Sequence, residues 1–238
     1  VELGTLFAKL GTSVSIIARS DVLSRFDKEA VSLVKKRMID IGVKFYPNTT
    51  PISHSGSSII ISTGEKLDAE VIVVAIGISP YTTGLGLENA KVQMDDKGFI
   101  QVDNMMRTTN KSVLAVGDVV GEPMLAHKAM RQGIVAAEVA AGLNSSYDNV
   151  VVPSVIFSDP EIGMVGDIEE KEGIKITKFP LTALGRAIAL DTENGFVKIA
   201  SDQNNFVKGV EIVSDEANTM VSEATLAIEM GATLEDIA

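Results

Sequence analysis

Cysteine is absent from this sequence of 238 residues, and histidine occurs only twice. Without cysteine, these residues can form neither a disulfide bond nor a thiolate metal site, and no thiol redox step can take place on them. His54 and His127 are too few for a zinc site, which takes three or four protein ligands. We therefore predict no metal site and no catalytic thiol.

Tryptophan is also absent and aromatic residues make up 5% of the chain, so the predicted core is aliphatic. The net charge of −11 argues against nucleic acid as a partner, because phosphate binding requires clustered lysine and arginine. No apolar run approaches the roughly 20 residues of a membrane-spanning helix, and no membrane association is predicted. Nothing in the composition requires an extracellular setting, so we expect a cytoplasmic location.

One stretch near the middle of the chain combines an apolar run with a carboxylate and a helix. Val113–Val116 is continuously apolar and predicts a buried strand of a parallel sheet. Gly117 and Asp118 follow where such a strand would end. A helix is predicted from Leu125 to Ala141, and Gly142 is a typical stop signal after it.

Asp118 is the first candidate binding residue. Open α/β sheets place ligand contacts at the carboxyl ends of their parallel strands. No cation lies close to Asp118 in the sequence, so a sugar or polyol hydroxyl would suit it as a hydrogen-bond donor. The alternative is that Asp118 caps a helix N-terminus, and spacing alone does not separate the two. The predicted helix also carries small residues at steps of three and four, which would allow close approach to a sheet or a flat ligand: Ala126, Ala129, Gly133, Ala136, Ala137 and Ala140.

The first part of the chain has the pattern of a nucleotide-binding fold. Residues 1–10 predict a helix with a stripe of large apolar residues, and Val14–Ala18 predicts the strand that follows. A helix followed by a strand is the second half of a βαβ unit, so we expect the chain to be a fragment that lacks the first strand. A second apolar run, Val71–Gly77, predicts another fully buried parallel strand.

The residues after the first predicted strand bear on nucleotide choice. Enzymes that prefer NAD usually carry an acidic residue there, whereas this chain has Ala18 followed by Arg19. Arg19, with Arg25 nearby, favours the 2′-phosphate of NADP(H). The alternative is that Arg19 is a solvated surface residue.

The last third of the sequence has a different pattern. Strands are predicted at Ile174–Phe179, Phe196–Ser201 and Val207–Val213, followed by a helix over Glu216–Met230. Consecutive strands and then a helix indicate an α+β module. The predicted fold class is thus α/β, with partial Rossmann-like nucleotide-binding domains followed by an α+β domain.

The central stretch LAVGDVVGEPMLAHKAMRQG resembles the second flavin-binding motif of the flavoprotein disulfide reductases, the class I pyridine nucleotide-disulfide oxidoreductases. The resemblance is greatest to their dihydrolipoyl dehydrogenase branch. It implies that Asp118 holds the ribityl chain of FAD. It also implies that four further residues lie at the flavin and the ribityl chain: Met124, Leu125, Ala126 and His127.

The beginning of the chain, VELGTLFAKLGTSVSII, resembles the segment that follows the glycine-rich turn in the nicotinamide domain of the same family. This implies that Val1 and Glu2 lie beside that turn, with Glu2 towards the nicotinamide. The A-x-G-x-x-P resemblance at residues 75–80 implies that Gly77 allows the backbone to approach NAD(P) closely. The A-R-S sequence around Arg19 is more similar to mercuric and glutathione reductases.

The C-terminal segments FSDPEIGMVG, LGRAIAL and EATLAIEMGATLEDIA resemble the interface domain of dihydrolipoyl dehydrogenases, which implies a homodimer formed through this domain. The lipoyl-bearing subunits of a 2-oxoacid dehydrogenase complex are a further partner that the resemblance implies. The predicted domains are 1–77, NAD(P)-binding and lacking its first strand; 78–149, the return segment of the FAD domain; and 150–238, a truncated interface domain.

The resemblance implies part of an FAD-dependent oxidoreductase that passes a hydride between NAD(P) and a redox disulfide. The family's cysteine pair and its His–Glu pair match no residues here, so we predict no catalytic residue and expect the chain alone to be inactive. An NADPH-dependent enzyme of the mercuric or glutathione reductase type is one alternative. A non-catalytic dimerising or nucleotide-binding module is another.

Overall fold

The computed structural model describes residues 1–24 and 26–238, so Arg25 and its predicted role lie outside the described residues. The chain forms two compact units. One unit contains Val1–Val73 together with Val151–Ala238, and the other contains Val74–Val150. The predicted three-domain division at residues 77 and 149 stays a prediction.

The first unit begins with alternating helices and strands. These are α1 (Glu2–Lys9), β1 (Ser15–Ile17), α2 (Lys28–Asp40) and β2 (Lys44–Tyr46). β1 and β2 pair in parallel, as expected of a βαβ unit. Asp27 caps α2 and accepts hydrogen bonds from the backbone N–H groups of Glu29 and Ala30, at 2.8 and 3.2 Å.

The predicted first helix is present, but its large apolar stripe is not its buried face. Thr5 and Ala8 are buried. A Cβ added at Gly4 would lie 3.1 Å from Cδ1 of Ile16, so small residues line the contact with β1 because the backbone approaches closely. The stripe itself is 38 to 72% exposed: Leu3, Leu6, Phe7 and Leu10.

A three-stranded antiparallel meander follows, formed by β3 (Pro51–Ser55), β4 (Ser58–Ile61) and β5 (Lys66–Asp68) in that order. The sequence predicts the last two strands, but it predicts a loop where β3 lies. Every residue of β3 is exposed. The strand therefore lacks the alternation of apolar and polar residues that would indicate one buried face. His54, which a loop position would leave exposed, is also exposed in this strand.

The predicted buried strand at Val71–Gly77 is wrong. The segment belongs to none of the sheets formed by the described residues. A parallel strand is stable only when a neighbour supplies backbone hydrogen bonds, and an apolar run cannot supply that neighbour. Its large side chains are 40 to 82% exposed: Val71, Ile72, Val73, Val74 and Ile76.

The C-terminal part of the first unit is the predicted α+β module. Its elements are β6 (Ser154–Ile156), β7 (Glu161–Gly166), β8 (Ile174–Pro180), α4 (Gly185–Ala189), β9 (Phe196–Asp202), β10 (Val207–Ser214) and α5 (Ala217–Glu229). The strands form one antiparallel sheet in the order β6-β7-β10-β9-β8. α5 packs against β7 and β10. The helix lies so close to β7 that position 163 has no room for a side chain, because a Cβ added at Gly163 would lie 2.8 Å from the carbonyl oxygen of Ala217.

One hydrophobic cluster joins the two halves of the first unit. It combines Val34 and Met38 of α2 with Ile162, Phe196 and Val213 of the five-stranded sheet. All five side chains are at most 1% exposed. The βαβ-like segment and the C-terminal sheet therefore share a core.

The second unit contains α3 (Ala126–Ala140), close to its predicted bounds, and a 3₁₀ turn over Gly117–Val120. The predicted parallel strand at Val113–Val116 is wrong, because the only pairing within it is an antiparallel bridge between Leu114 and Arg107. Its apolar side chains still pack against neighbouring loops and α3. Nowhere in residues 1–24 and 26–238 is there a helix long and apolar enough to cross a membrane.

Candidate functional site

The 3₁₀ turn at Gly117–Val120 presents Asp118 to solvent. Asp118 does not cap α3, whose N-cap residue is Leu125 and has no side-chain capping bond. The capping alternative for Asp118 is therefore wrong. An exposed carboxylate that caps no helix is available to accept hydrogen bonds from a ligand.

Gly117 fixes this turn against α3. Its φ of +82° lies in the left-handed region, and an added Cβ would lie 3.3 Å from the Cβ of Ala129. Its backbone N–H donates a buried hydrogen bond of 2.8 Å to Oε1 of Gln132. A larger residue at position 117 would meet both the backbone strain and the helix.

Lys128 lies beneath the same turn. Lys128 is only 5% exposed, and its Nζ donates a hydrogen bond of 2.5 Å to the carbonyl oxygen of Gly121. Burial lowers the pKa of Lys128, and the negative charge of Asp118 acts in the opposite direction. The sequence interpretation missed this cation because it lies ten residues from Asp118. The spacing of Lys128 and Gln132, four residues apart on one helix face, was the available signal.

The start of α3 lies next to this turn in the chain. Met124 and Leu125 are half-buried, whereas Ala126 and His127 are exposed. The N-cap residue of α3, Leu125, makes no side-chain capping bond, and the N-terminus of the helix carries the positive end of its dipole. The small-residue face is only partly covered, since Ala126, Ala137 and Ala140 are exposed, Ala129 and Gly133 are half-buried and Ala136 is buried.

These features fit the group that the resemblance implies at this site, an FAD. Asp118 offers a hydroxyl acceptor for a polyol chain, and the open face of α3 offers small side chains beside a flat ring system. Met124 and Leu125 add apolar surface next to them. The roles of these residues stay predictions.

On the nucleotide side, Glu2 has a partner within the chain. Its Oε1 accepts a hydrogen bond of 2.8 Å from the backbone N–H of Phe157, immediately after β6. Val1 contributes its carbonyl oxygen to the first turn of α1, accepting from the N–H and the hydroxyl of Thr5 at 2.8 and 3.1 Å. In this structure, Glu2 therefore connects α1 to the C-terminal part of the first unit.

Arg19 lies two residues after β1, and its side chain is exposed. The next carboxylate along the chain is Asp21, which is already bound by the Nζ of Lys35 at 2.7 Å and by the N–H of Val22 at 2.9 Å. The N–H of Ala18 pairs with Tyr46 on β2, so the backbone up to this point is held in the sheet. An accessible guanidinium at the end of β1 is compatible with a phosphate ligand.

Gly77 is exposed and has a φ of +115°, a conformation that favours glycine. An added Cβ would meet no atom within 4 Å, so backbone conformation and not crowding explains the glycine here. Gly77 belongs to the second unit, whereas Val1, Glu2 and Arg19 belong to the first. Within the described chain, no group of three or more His, Cys, Asp or Glu residues could hold a metal ion.

Comparison with known proteins identifies the family. The Pyridine nucleotide-disulphide oxidoreductase family matches residues 1–133, and the dimerisation domain of the same family matches residues 152–238. The chain therefore belongs to the pyridine nucleotide-disulphide oxidoreductase family. This confirms the resemblance and the α/β plus α+β fold class predicted from the sequence.

Among curated relatives, the chain is 38% identical to the dihydrolipoyl dehydrogenase of Thermus scotoductus over 253 residues, 100% of this chain and 55% of the relative. It is 39% identical to those of Haloferax volcanii over 254 residues and Geobacillus stearothermophilus over 252, covering 100% of this chain and 54% of each relative. The chain thus spans about half the length of the curated relatives it matches.

Solved structures show the same fold. LpdA from Mycobacterium tuberculosis matches with a TM-score of 0.88 at 25% identity, over 99% of this chain and 54% of that one. The HOCl-induced flavoprotein disulfide reductase RclA from Escherichia coli matches with a TM-score of 0.86 at 23% identity, over 97% and 56%. At that identity the RclA match carries information on the fold alone.

Proposed function

We propose that this chain is part of an FAD-dependent pyridine nucleotide-disulphide oxidoreductase of the dihydrolipoyl dehydrogenase type. The observation that carries the proposal is the turn that presents Asp118 to solvent shortly before the start of α3 in the chain. Relatives named dihydrolipoyl dehydrogenase match this chain over its whole length. The bound flavin would supply the chemistry of hydride transfer between the nicotinamide and a disulfide.

In this proposal, the residues of this chain bind and orient the FAD and the NAD(P). Asp118 accepts hydrogen bonds from the ribityl hydroxyls, and α3 contributes its N-terminal dipole. Four residues line the flavin side: Met124, Leu125, Ala126 and His127. For NAD(P), the proposed binding residues are Val1, Glu2 and Arg19 of the first unit and, separately, Gly77 of the second unit. The 238 residues contain no cysteine, so the redox disulfide is not among them.

The test is to purify the protein from its native source, record its flavin absorption and assay NAD⁺ and NADP⁺ reduction with dihydrolipoamide. We expect a yellow protein that reduces one of the two nucleotides. The isolated 238-residue chain is the control, and we expect no disulfide reductase activity from it because it lacks cysteine. A native protein that carries no flavin would contradict the proposal.

A second candidate is an NADPH-dependent reductase of the mercuric or glutathione type. The exposed Arg19 at the end of β1 favours it, since a guanidinium suits the 2′-phosphate and Asp21 is already paired with Lys35. Oxidised glutathione and Hg²⁺ as substrates with NADPH separate this candidate from the lipoyl enzyme. A protein that binds nucleotide but never flavin would instead favour the non-catalytic dimerising or nucleotide-binding module.

We also infer a homodimer formed through the α+β module. Three large apolar side chains in or directly after α5 are 38 to 76% exposed: Met220, Leu226 and Met230. The match of residues 152–238 to the dimerisation domain of the family supports this inference. Sedimentation at micromolar concentration tests this, and a monomer would contradict it. Binding to lipoyl-bearing subunits of a 2-oxoacid dehydrogenase complex and a cytoplasmic location are further parts of the proposal.

A further inference from the structure

We propose that Lys128 and Gln132 are positioning residues that hold the two ends of the Gly117–Gly121 turn and thereby fix Asp118 for a polyol ligand. The inference rests on the proposed function, because the polyol is taken to be the ribityl chain of FAD. It assigns a role to two side chains of the motif-like stretch to which the resemblance gave no role. It also explains why α3 carries a buried lysine.

Two hydrogen bonds form the clamp. Oε1 of Gln132 accepts from the N–H of Gly117 at the beginning of the turn, at 2.8 Å. Nζ of Lys128 donates to the carbonyl oxygen of Gly121 at its end, at 2.5 Å. Within the turn, the N–H of Gly121 donates to the carbonyl oxygen of Asp118 at 3.3 Å. The carboxylate therefore lies between two points that are both bound to α3.

The helix geometry makes this arrangement rigid. Lys128 and Gln132 are four residues apart, so they lie on the same face of α3. They are 5% and 4% exposed, which leaves little room for other rotamers. Ala129 lies between them in the sequence. A Cβ added at Gly117 would lie 3.3 Å from the Cβ of Ala129, so the turn packs closely against the helix. The turn and the helix can therefore shift only together.

The buried lysine does more than fill space, because its Nζ is a hydrogen-bond donor to the turn. An ammonium loses hydration when it is buried, whereas a methionine of similar length would fill the same space without that cost. The loss of hydration is visible in the lowered pKa of Lys128, which Asp118 partly opposes. Because its Nζ is held on the carbonyl oxygen of Gly121, Lys128 brings a positive charge to the end of the turn that carries Asp118.

A double-mutant cycle tests the coupling. FAD affinity is measured by flavin fluorescence on the flavin-free protein, expressed at the length that its gene encodes. We compare Lys128→Met, Asp118→Asn and the double variant. We expect Lys128→Met to weaken FAD binding about tenfold, the typical effect of one charge-assisted hydrogen bond. In the Asp118→Asn background the same substitution should have little further effect. Equal effects in both backgrounds would overturn the inference.

Gln132 provides a rescue test. Gln132→Leu should weaken FAD binding because the buried N–H of Gly117 loses its acceptor, whereas Gln132→Glu keeps an acceptor and should restore it. Lys97→Met, at an exposed lysine in the same unit, is the matched control and should leave FAD affinity unchanged. If Gln132→Leu and Gln132→Glu behave alike, Gln132 has no positioning role.

A flavin-free measurement separates this inference from the proposed function. Hydrogen–deuterium exchange, read by mass spectrometry on a peptide over residues 113–121, should become faster in Lys128→Met and Gln132→Leu but not in Lys97→Met. Unchanged exchange in both would overturn the clamp. If the unsubstituted protein binds no FAD, the proposed function fails and the flavin role of the clamp fails with it, while the exchange result still decides whether the clamp exists.

Discussion

The two units of the molecule each contain a carboxylate near a lysine, in opposite arrangements. In the second unit the lysine is buried and the carboxylate of Asp118 is exposed. In the first unit Glu211, on the central strand β10, is 0% exposed, and neither of its carboxylate oxygens has a hydrogen-bond partner within residues 1–24 and 26–238. The exposed carboxylate is available to a ligand, whereas the buried one can respond only to protons.

The reason for the difference lies in the partners of the second lysine. Lys198 is opposite Glu211 on β9. Its Nζ is already bound by Asp27 at 3.0 Å and by Glu29 at 3.3 Å, at the start of α2. Burial opposes the charged form of Lys198, but these two carboxylates raise its pKa. Glu211 therefore has the negative charges of Asp27 and Glu29 nearby, while Lys198 forms its ion pairs with those two residues and not with Glu211.

The largest expected effect concerns Glu211. Burial, followed by the charge of Asp27, raises the pKa of Glu211 from 4.5 to about 7, with Glu29 adding to the shift and Lys198 opposing it. Because the unfolded chain releases this proton at lower pH, the free energy of unfolding should fall as the pH rises from about 4.5 to 7. The expected loss is about 3 kcal/mol.

Urea denaturation of the wild type and Glu211→Gln at a series of pH values measures this effect. The difference between the two free energies of unfolding should change by about 3 kcal/mol across that interval and stay constant above it. Glu223→Gln, at an exposed position of α5, is the control and should show no such change. A Glu211→Gln curve parallel to that of the wild type would show that Glu211 does not titrate there.

The next effect concerns the exposed carboxylate. Asp118→Asn should weaken FAD binding by about ten- to a hundredfold, because a hydrogen bond to a charged acceptor contributes about 1.5 to 3 kcal/mol. It should change the free energy of unfolding little, since Asp118 is exposed. Fluorescence titration with FAD and urea denaturation measure the two quantities.

Asp96→Asn, at an exposed carboxylate of the same unit, is the matched control and should alter neither quantity. Glu211→Gln should leave FAD affinity unchanged. If Asp118→Asn destabilises the fold and FAD affinity follows the fraction of folded protein, the division between a ligand-binding carboxylate and a proton-binding carboxylate breaks down.

A smaller effect is expected at Arg19. Arg19→Glu should shift the ratio of NADP(H) to NAD(H) affinity about tenfold towards NAD(H), because a carboxylate suits the ribose hydroxyls and repels a 2′-phosphate. Isothermal titration with both nucleotides measures the ratio. Lys36→Glu makes the same charge change at an exposed position of α2, and an equal shift in that variant would mean that only net charge matters.

The smallest effect is expected at the outer edge of the charged cluster that contains Lys198. Lys178 on β8 pairs with Glu29, and their side chains are 38% and 47% exposed. Lys178→Met should therefore lower the free energy of unfolding by less than about 1 kcal/mol, as is typical of exposed ion pairs. It should leave the pH dependence due to Glu211 in place. Loss of that pH dependence in Lys178→Met would mean that the outer ion pair controls the buried carboxylate.

Local signals predicted α2 and the C-terminal strands well. The sequence after Phe26 predicts a helix with Asp27 as its N-cap and with Ala30, Val34 and Met38 on its buried face, and α2 has these features. These features depend on residues a few positions apart, so a short stretch of sequence contains the information. Predicted bounds for β8, β9 and β10 also lie within one residue of the observed ones.

The two apolar runs at Val71–Gly77 and Val113–Val116 show where such reasoning stops. An apolar run indicates a preference for burial, but a strand also needs a neighbouring backbone, and pairing is non-local. For α1 the apolar stripe predicted the wrong face, because close backbone packing at Gly4 decided which side faces β1. In each case the apolar pattern was read correctly from the sequence. What the sequence did not show was the segment against which the pattern would pack.

The amino-acid sequence alone determined α1, α2, α3 and α5, most of the strands, the family and the choice of Asp118 as a candidate ligand residue, because motifs and periodicities are local. Tertiary structure decided which charges are buried. It placed Lys128 beneath a turn that begins eleven residues earlier, and it enclosed Glu211 between strands while α2 bonded to Lys198. Burial and electrostatic partners depend on the packing of distant segments, and so only the folded chain defines them.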